Sequence, residues 1–118
     1  MKQQKILVVD DDLEVLSIYS KLLRAHYHVD TTDNPHDALN RVTDSTYAAI
    51  ITDYTMPGMN GTDLIAHLRN DGYAGPTLLI TGEDPCSFAD LPIEKKPTLV
   101  LQKPVRKSTL IQSLEELI

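Results

Sequence analysis

The sequence has a single cysteine, Cys86, so no internal disulfide can form and the usage fits a reducing compartment. Its neighbours are Pro85 and Ser87, with no CxxC pair, which argues against a catalytic thiol. The four histidines, His26, His28, His36 and His67, show no HExxH spacing; His26 and His28 could share one strand face but lack an obvious third ligand, so no zinc site is expected. Positive charge is scarce. Eleven Lys and Arg stand against 17 Asp and Glu, and the formal net charge of −6 argues against direct nucleic-acid binding. No apolar run approaches the length of a membrane span, and Met1 to Lys5 lead straight into a strand-like segment with no room for a signal peptide. A cytoplasmic chain without membrane insertion is therefore expected.

What is present is ordinary for a globular domain: 118 residues, 42% apolar and 24% charged, enough for one continuous core. Residues 1–118 read as one domain, without repeats, low-complexity tracts or a linker.

The chain is organised around Ala49-Ile50-Ile51-Thr52-Asp53-Tyr54-Thr55-Met56-Pro57-Gly58-Met59-Asn60-Gly61. An apolar run ends in an aspartate, a Pro-Gly turn follows, and Asn60-Gly61 opens a new periodic segment. In an alternating α/β chain this is a buried parallel strand presenting Asp53 at its carboxyl end, where open α/β sheets bind ligands. Taken alone, the same stretch is equally compatible with Asp53 as a turn residue.

The rest of the chain supplies the alternation. Lys5 to Val9 is a continuous β-branched and apolar run, followed by Leu13, Leu16, Tyr19, Leu22 and Leu23 at helical spacing from about Leu13 to Arg24. Asp11 with Glu14 three residues later fits a capping box. Tyr27 to Thr31 is a short strand, and Asn34-Pro35 starts a second helix as N-cap and first-turn proline. Tyr47 to Thr52 is the third strand; Leu64, Ile65 and Leu68 line a third helix that Gly72 stops. Thr77 to Ile80 is the fourth strand, ending at Thr81-Gly82. Asp84-Pro85 opens a helix of at most two turns, cut short by Pro92, in a ragged segment from Glu83 to Lys96. Thr98 to Leu101 is the fifth strand, and Leu110, Ile111, Leu114, Leu117 and Ile118 share one side of the last helix. Five strands alternating with five helices predict a doubly wound (βα)5 flavodoxin-like domain, with a parallel sheet in the order 2-1-3-4-5.

Four strand ends then carry chemistry: Asp10-Asp11, Asp53, Thr81 and Lys103. Strands one and three flank the topological switch point, so three carboxylates converge there. Such a cluster is costly without a cation, and an oxygen-only set suits Mg2+. Lys103 adds a point charge and Thr81 a hydroxyl, which together make the parts for phosphoryl transfer to a carboxylate. Singly, Asp10 to Asp12 read as helix caps, Thr81 as a strand residue and Lys103 as a solvated charge; the coincidence of all four favours a site.

The pieces Ile6-Leu7-Val8-Val9-Asp10-Asp11, Asp53-x-x-Met56-Pro57-x-x-x-Gly61, Leu79-Ile80-Thr81-Gly82 and Lys103-Pro104, in this order and spacing, resemble the receiver domains of two-component response regulators. The resemblance implies that Asp53 accepts a phosphoryl group from a phosphohistidine on a histidine kinase or histidine phosphotransfer protein. It implies Mg2+ held directly by Asp11, through water by Asp10, by Asp53 and by the backbone carbonyl of Thr55. It gives Thr81 and Lys103 contacts to the phosphoryl group, and a cis Lys103-Pro104 bond. The activity implied is the domain's own phosphorylation and dephosphorylation, not turnover of a substrate. An effector would dock on the face made by the fourth helix, fifth strand and last helix, the same face on which to look for a dimer.

Three departures put the readout in doubt. Val100 stands where the family usually has an aromatic that turns inward, Gly82 stands where alanine is common, and prolines break the fourth helix. A receiver-like domain that works without phosphate is one alternative. A haloacid-dehalogenase-like phosphatase is another, although it needs an acid/base aspartate where Thr55 stands. Flavin binding is excluded by the acidic loop after the first strand, which would repel a phosphate.

Overall fold

A computed structural model describes residues 3–118. Its elements are β1 (Lys5–Val9), α1 (Leu13–Leu23), β2 (His28–Thr32), α2 (Pro35–Asp44), β3 (Ala49–Asp53), α3 (Gly61–Asn70), β4 (Thr77–Thr81), β5 (Leu99–Gln102) and α4 (Lys107–Leu117). The strands pair in parallel in the order β2-β1-β3-β4-β5, the predicted doubly wound sheet.

The expectation of five helices is corrected. Between β4 and β5 the chain makes only two one-turn 3-10 segments, Pro85–Phe88 and Ile93–Lys95. Asp84 does cap the first, its carboxylate accepting the Cys86 N–H at 2.9 Å. Pro92 then takes an extended conformation, with ψ 149°, and the few residues between the prolines cannot complete an α-helix.

Side-chain alternation along the strands divides the core. Val8, Ile51 and Leu101 belong to the cluster packed against α1 and α4, with Leu16, Leu110 and Leu114. Leu7 and Ile50 pack against α2 and α3. Continuing the period by two residues sends Asp10, Asp53 and Lys103 toward the α1–α4 side. Thr81, two residues after Leu79 of a third cluster, continues the other face. Strand parity thus groups the charged residues before any loop is considered.

The ends of α3 place the turn that follows β3. Asn60 caps the helix, accepting the Asp63 N–H at 2.9 Å. At the far end Gly72 takes φ +100°, with its own N–H on Arg69 O and the Tyr73 N–H on Leu68 O. That is a Schellman stop at the predicted glycine.

Candidate functional site

The loop after β1 divides its three aspartates by role. Asp12, not Asp11, caps α1, with Oδ1 accepting from Glu14 N at 2.9 Å and Val15 N at 3.4 Å. The predicted Asp11–Glu14 capping box is therefore not formed: the N-cap lies one residue later, which puts Glu14 at N2 and Val15 at N3. Asp10 accounts for the shift: its Oδ1 accepts the Asp12 N–H at 2.9 Å and draws the loop inward. Asp11 takes part in neither bond and is exposed.

Asp10, Asp11 and Asp53 each offer a carboxylate oxygen, and these all lie within 4.8 Å of one another. No other group of three or more His, Cys, Asp or Glu is drawn together in this way among the described residues. Asp10 and Asp53 are buried, at 4% and 7% exposure. Lys103 Nζ sits 2.8 Å from Asp53 Oδ1, and the lysine side chain is 43% exposed. Lys103 is held from behind: its N–H donates to Thr81 O at 2.7 Å, and the Lys103–Pro104 peptide is cis.

Electrostatics follow from this geometry. Burial pushes the Asp10 carboxyl up to about 6, with the Asp53 charge adding to the rise and the Asp12 amide opposing it. Burial works against the Lys103 ammonium, yet the hydrogen bond and charge of Asp53, with Asp10 and Tyr19 behind, hold its pKa above the ordinary value. One ammonium against three carboxylates leaves the site anionic. A hard, all-oxygen donor set of this charge fits a divalent cation such as Mg2+.

Thr81 is 2% exposed, and its hydroxyl oxygen accepts the Glu83 N–H at 3.0 Å. In register, Asp53 pairs with Ile80, so Thr81 stands one residue further along the neighbouring strand. Thr55 is exposed in the turn after β3, which Gly58 closes with φ +81°. Gly61 is required for packing rather than for its dihedrals. A Cβ there would lie 2.5 Å from Asp53 O and 2.6 Å from Leu79 Cδ1, while the Gly61 N–H donates to Tyr54 O at 2.7 Å. A cleft of about 450 Å3, lined by Asp11, Asp33, His36, Pro57 and Gly58 among others, opens beside the carboxylates.

Sequence reasoning missed two participants. The fully buried Thr52 donates its hydroxyl to the carbonyl of Asp53 at 2.9 Å; the available signal was a hydroxyl in an otherwise Ala-Ile-Ile run. Phe88 meets the Tyr54 ring beside Asp53, for which the sequence carried no signal.

Residues 6–115 match the family model described as the response regulator receiver domain. The chain belongs to this family. This receiver domain is 34% identical over 112 residues to the phosphoglycerate transport system transcriptional regulatory protein PgtA of Salmonella typhimurium, covering 94% of the chain and 27% of that protein. It spans about a quarter to a third of the length of the curated relatives it matches. Among solved structures it is similar to the chemotaxis protein CheY4 of Vibrio cholerae, at 26% identity and TM-score 0.88 over 98% of this chain and 99% of that one. It shares the fold of the response regulator TrrA of Thermotoga maritima, solved in complex with Mg2+-BeF, at 24% identity and TM-score 0.84 over 98% and 99% of the two chains. No helix among the described residues of the receiver domain is long and apolar enough to cross a membrane.

Proposed function

We propose that Asp53 is the phosphoacceptor of this receiver domain, taking its phosphoryl group from a phosphohistidine on a histidine kinase or histidine phosphotransfer protein in the cytoplasm. The observation that carries the reading is the approach of Lys103 Nζ to within 2.8 Å of a buried carboxylate that also belongs to a three-carboxylate cluster. In this reading residues 1–118 act as one receiver unit within a larger signalling protein or beside separate partners.

Asp10, Asp11 and Asp53, with the backbone carbonyl of Thr55, would hold Mg2+. Bound there, the ion would offset the clustered negative charge and stabilise the charge on the phosphoryl oxygens. Fold relatives lend support, since the TrrA structure is a complex with Mg2+-BeF.

The chain's own residues then do the following. An oxygen of Asp53 attacks phosphorus, the P–N bond to the donor imidazole breaks, and the imidazole nitrogen leaves with the electron pair and takes up a proton. Lys103 moves from the Asp53 carboxylate to a phosphoryl oxygen, and the Thr81 hydroxyl donates to another. Thr52, bonded to the Asp53 carbonyl, and Gly61, bonded to the Tyr54 carbonyl, keep the backbone at the acceptor in place through the reaction. The gain of a dianion would then shift a pre-existing equilibrium of the β4–β5 region, and so the face that an effector or a second copy meets.

The test is incubation of the chain with Mg2+ and a small-molecule phosphodonor, followed by intact-mass measurement and peptide mapping. One alkali- and hydroxylamine-labile phosphoryl group on the peptide holding Asp53, absent in Asp53→Asn, supports the reading. No incorporation, or sustained hydrolysis of a phosphate monoester, overturns it.

A further inference from the structure

Among residues 82–96, Phe88 alone is buried. It closes the first 3-10 turn, is 4% exposed, and packs with Ile65 and Leu79 beside the half-buried Tyr54, Leu91 and Val100. Its ring meets the ring of Tyr54 edge-on, with centroids 5.0 Å apart and planes at 78°. Tyr54 is peptide-bonded to Asp53. Apart from the half-buried Leu91, the side-chain ties of the segment to the rest of the domain are polar: Glu83 N–H to Thr81 Oγ1 at 3.0 Å, Gln102 Nε2 to Gly82 O at 3.4 Å, and a half-exposed Lys95–Asp63 pair at 3.5 Å. Exposed contacts of that kind hold weakly, whereas an aromatic edge-to-face pair adds about 0.5–1.5 kcal/mol to its buried area.

We infer that Phe88 is the residue through which occupancy of Asp53 is passed to segment 82–96, with the Tyr54 ring as its fixed counterpart; the inference rests on the phosphoacceptor reading above. The Tyr54 backbone cannot follow the segment: its N–H donates to Ile80 O at 2.9 Å and its carbonyl accepts the Gly61 N–H at 2.7 Å, so the base of the ring moves only with the sheet and α3. Phe88 rides on the other side of a hinge. Thr81 offers its oxygen to Glu83, and turning the hydroxyl toward a phosphoryl group on Asp53 disturbs that bond. Gly82 lies in open space, where even a Cβ would meet nothing within 4 Å, so packing at this position does not resist the movement. A displacement starting at Glu83 therefore reaches the one buried anchor of the segment as a shift of one ring against the other. Val100 in the same cluster is a stiff β-branched side chain with no comparable ring to swing.

The composition supplies the probe, because the chain has a single phenylalanine. Protein labelled with fluorophenylalanine gives one resonance, from position 88, and backbone amides are followed on uniformly labelled protein; both are titrated with Mg2+ and beryllofluoride. The expected result is a shift of the Phe88 resonance in step with the Thr81 and Glu83 amides. In Phe88→Leu the Thr81 amide still shifts, while the shifts of amides 89–96 are lost. A Phe88 resonance that stays put while the Thr81 amide moves overturns the inference and leaves the phosphoacceptor reading intact. So do amides 89–96 that shift as far in Phe88→Leu as in the parent chain. No response at either Asp53 or Thr81 overturns the phosphoacceptor reading, and this inference with it. If Phe88→Leu does not fold, the single resonance of the parent chain decides alone.

Discussion

Lys103 and Asp53 are already paired, ammonium nitrogen to carboxylate oxygen at 2.8 Å, with the aspartate buried and the lysine 43% exposed. The nucleophile is thus held by the same cation that must later serve the phosphoryl group. An exposed stem gives the lysine room to transfer between them, and the pairing lowers the mutual repulsion of the carboxylates meanwhile.

This relationship predicts opposite effects on two steps. Lys103→Met should slow phosphoryl incorporation by about 10²-fold, the cost of losing one charge-stabilising donor. It should also tighten Mg2+ binding, because the cluster loses its internal cation. Measuring incorporation rate and Mg2+ affinity on one variant checks both. Slower incorporation with weaker Mg2+ binding would point to general damage.

Mg2+ should stabilise the fold by mass action, by about 2.7 kcal/mol at a hundredfold excess over Kd. In Asp11→Asn most of that increment should vanish, with little change in the metal-free stability because Asp11 is exposed. Melting curves with and without Mg2+ give the comparison. An undiminished increment would remove Asp11 from the ligand set.

Without metal, stability should rise as pH falls from above 6 toward 4. Asp10 is pushed up to about 6 by burial, so the folded state binds its proton more tightly than the unfolded chain does. The penalty for ionised Asp10 is present in full above pH 6 and fades as the pH falls through 6 toward the ordinary aspartate value of 3.8. Asp10→Asn should flatten that trend and raise metal-free stability near neutrality by on the order of 1–2 kcal/mol. Denaturant titrations on both sides of pH 6 measure it. With Mg2+ present the trend should reverse, because protonation then competes with the metal.

Gly61→Ala should cost about 1–3 kcal/mol, since the new methyl meets the Asp53 carbonyl and Leu79, and one of them must shift. The same displacement moves the turn that carries Thr55, so Mg2+ affinity should fall with stability. Chemical denaturation paired with Mg2+ titration tests the coupling. Unchanged Mg2+ affinity in a destabilised protein would separate the turn from the site.

The sequence by itself determined the five strands, four of the five expected helices and the placing of charged residues at strand ends, because these depend on local periodicity; the sheet order followed from the fold that such alternation implies. Val8, Ile51 and Leu101 face one side, so Asp10, Asp53 and Lys103 two residues on must follow them. The glycine stop at Gly72 and the caps at Asn34 and Asp84 were legible for the same local reason. Tertiary structure decided what local pattern leaves degenerate. Three consecutive aspartates look alike in a sequence, and the burial of Asp10 at 4% made Asp12 the cap and left Asp11 exposed beside the cluster. Only packing across distant elements could set Phe88 against Tyr54, 34 residues earlier, because no spacing rule relates a one-turn segment to a strand end. The parts of the site were written in the strands; what the site can move was settled by a contact between elements.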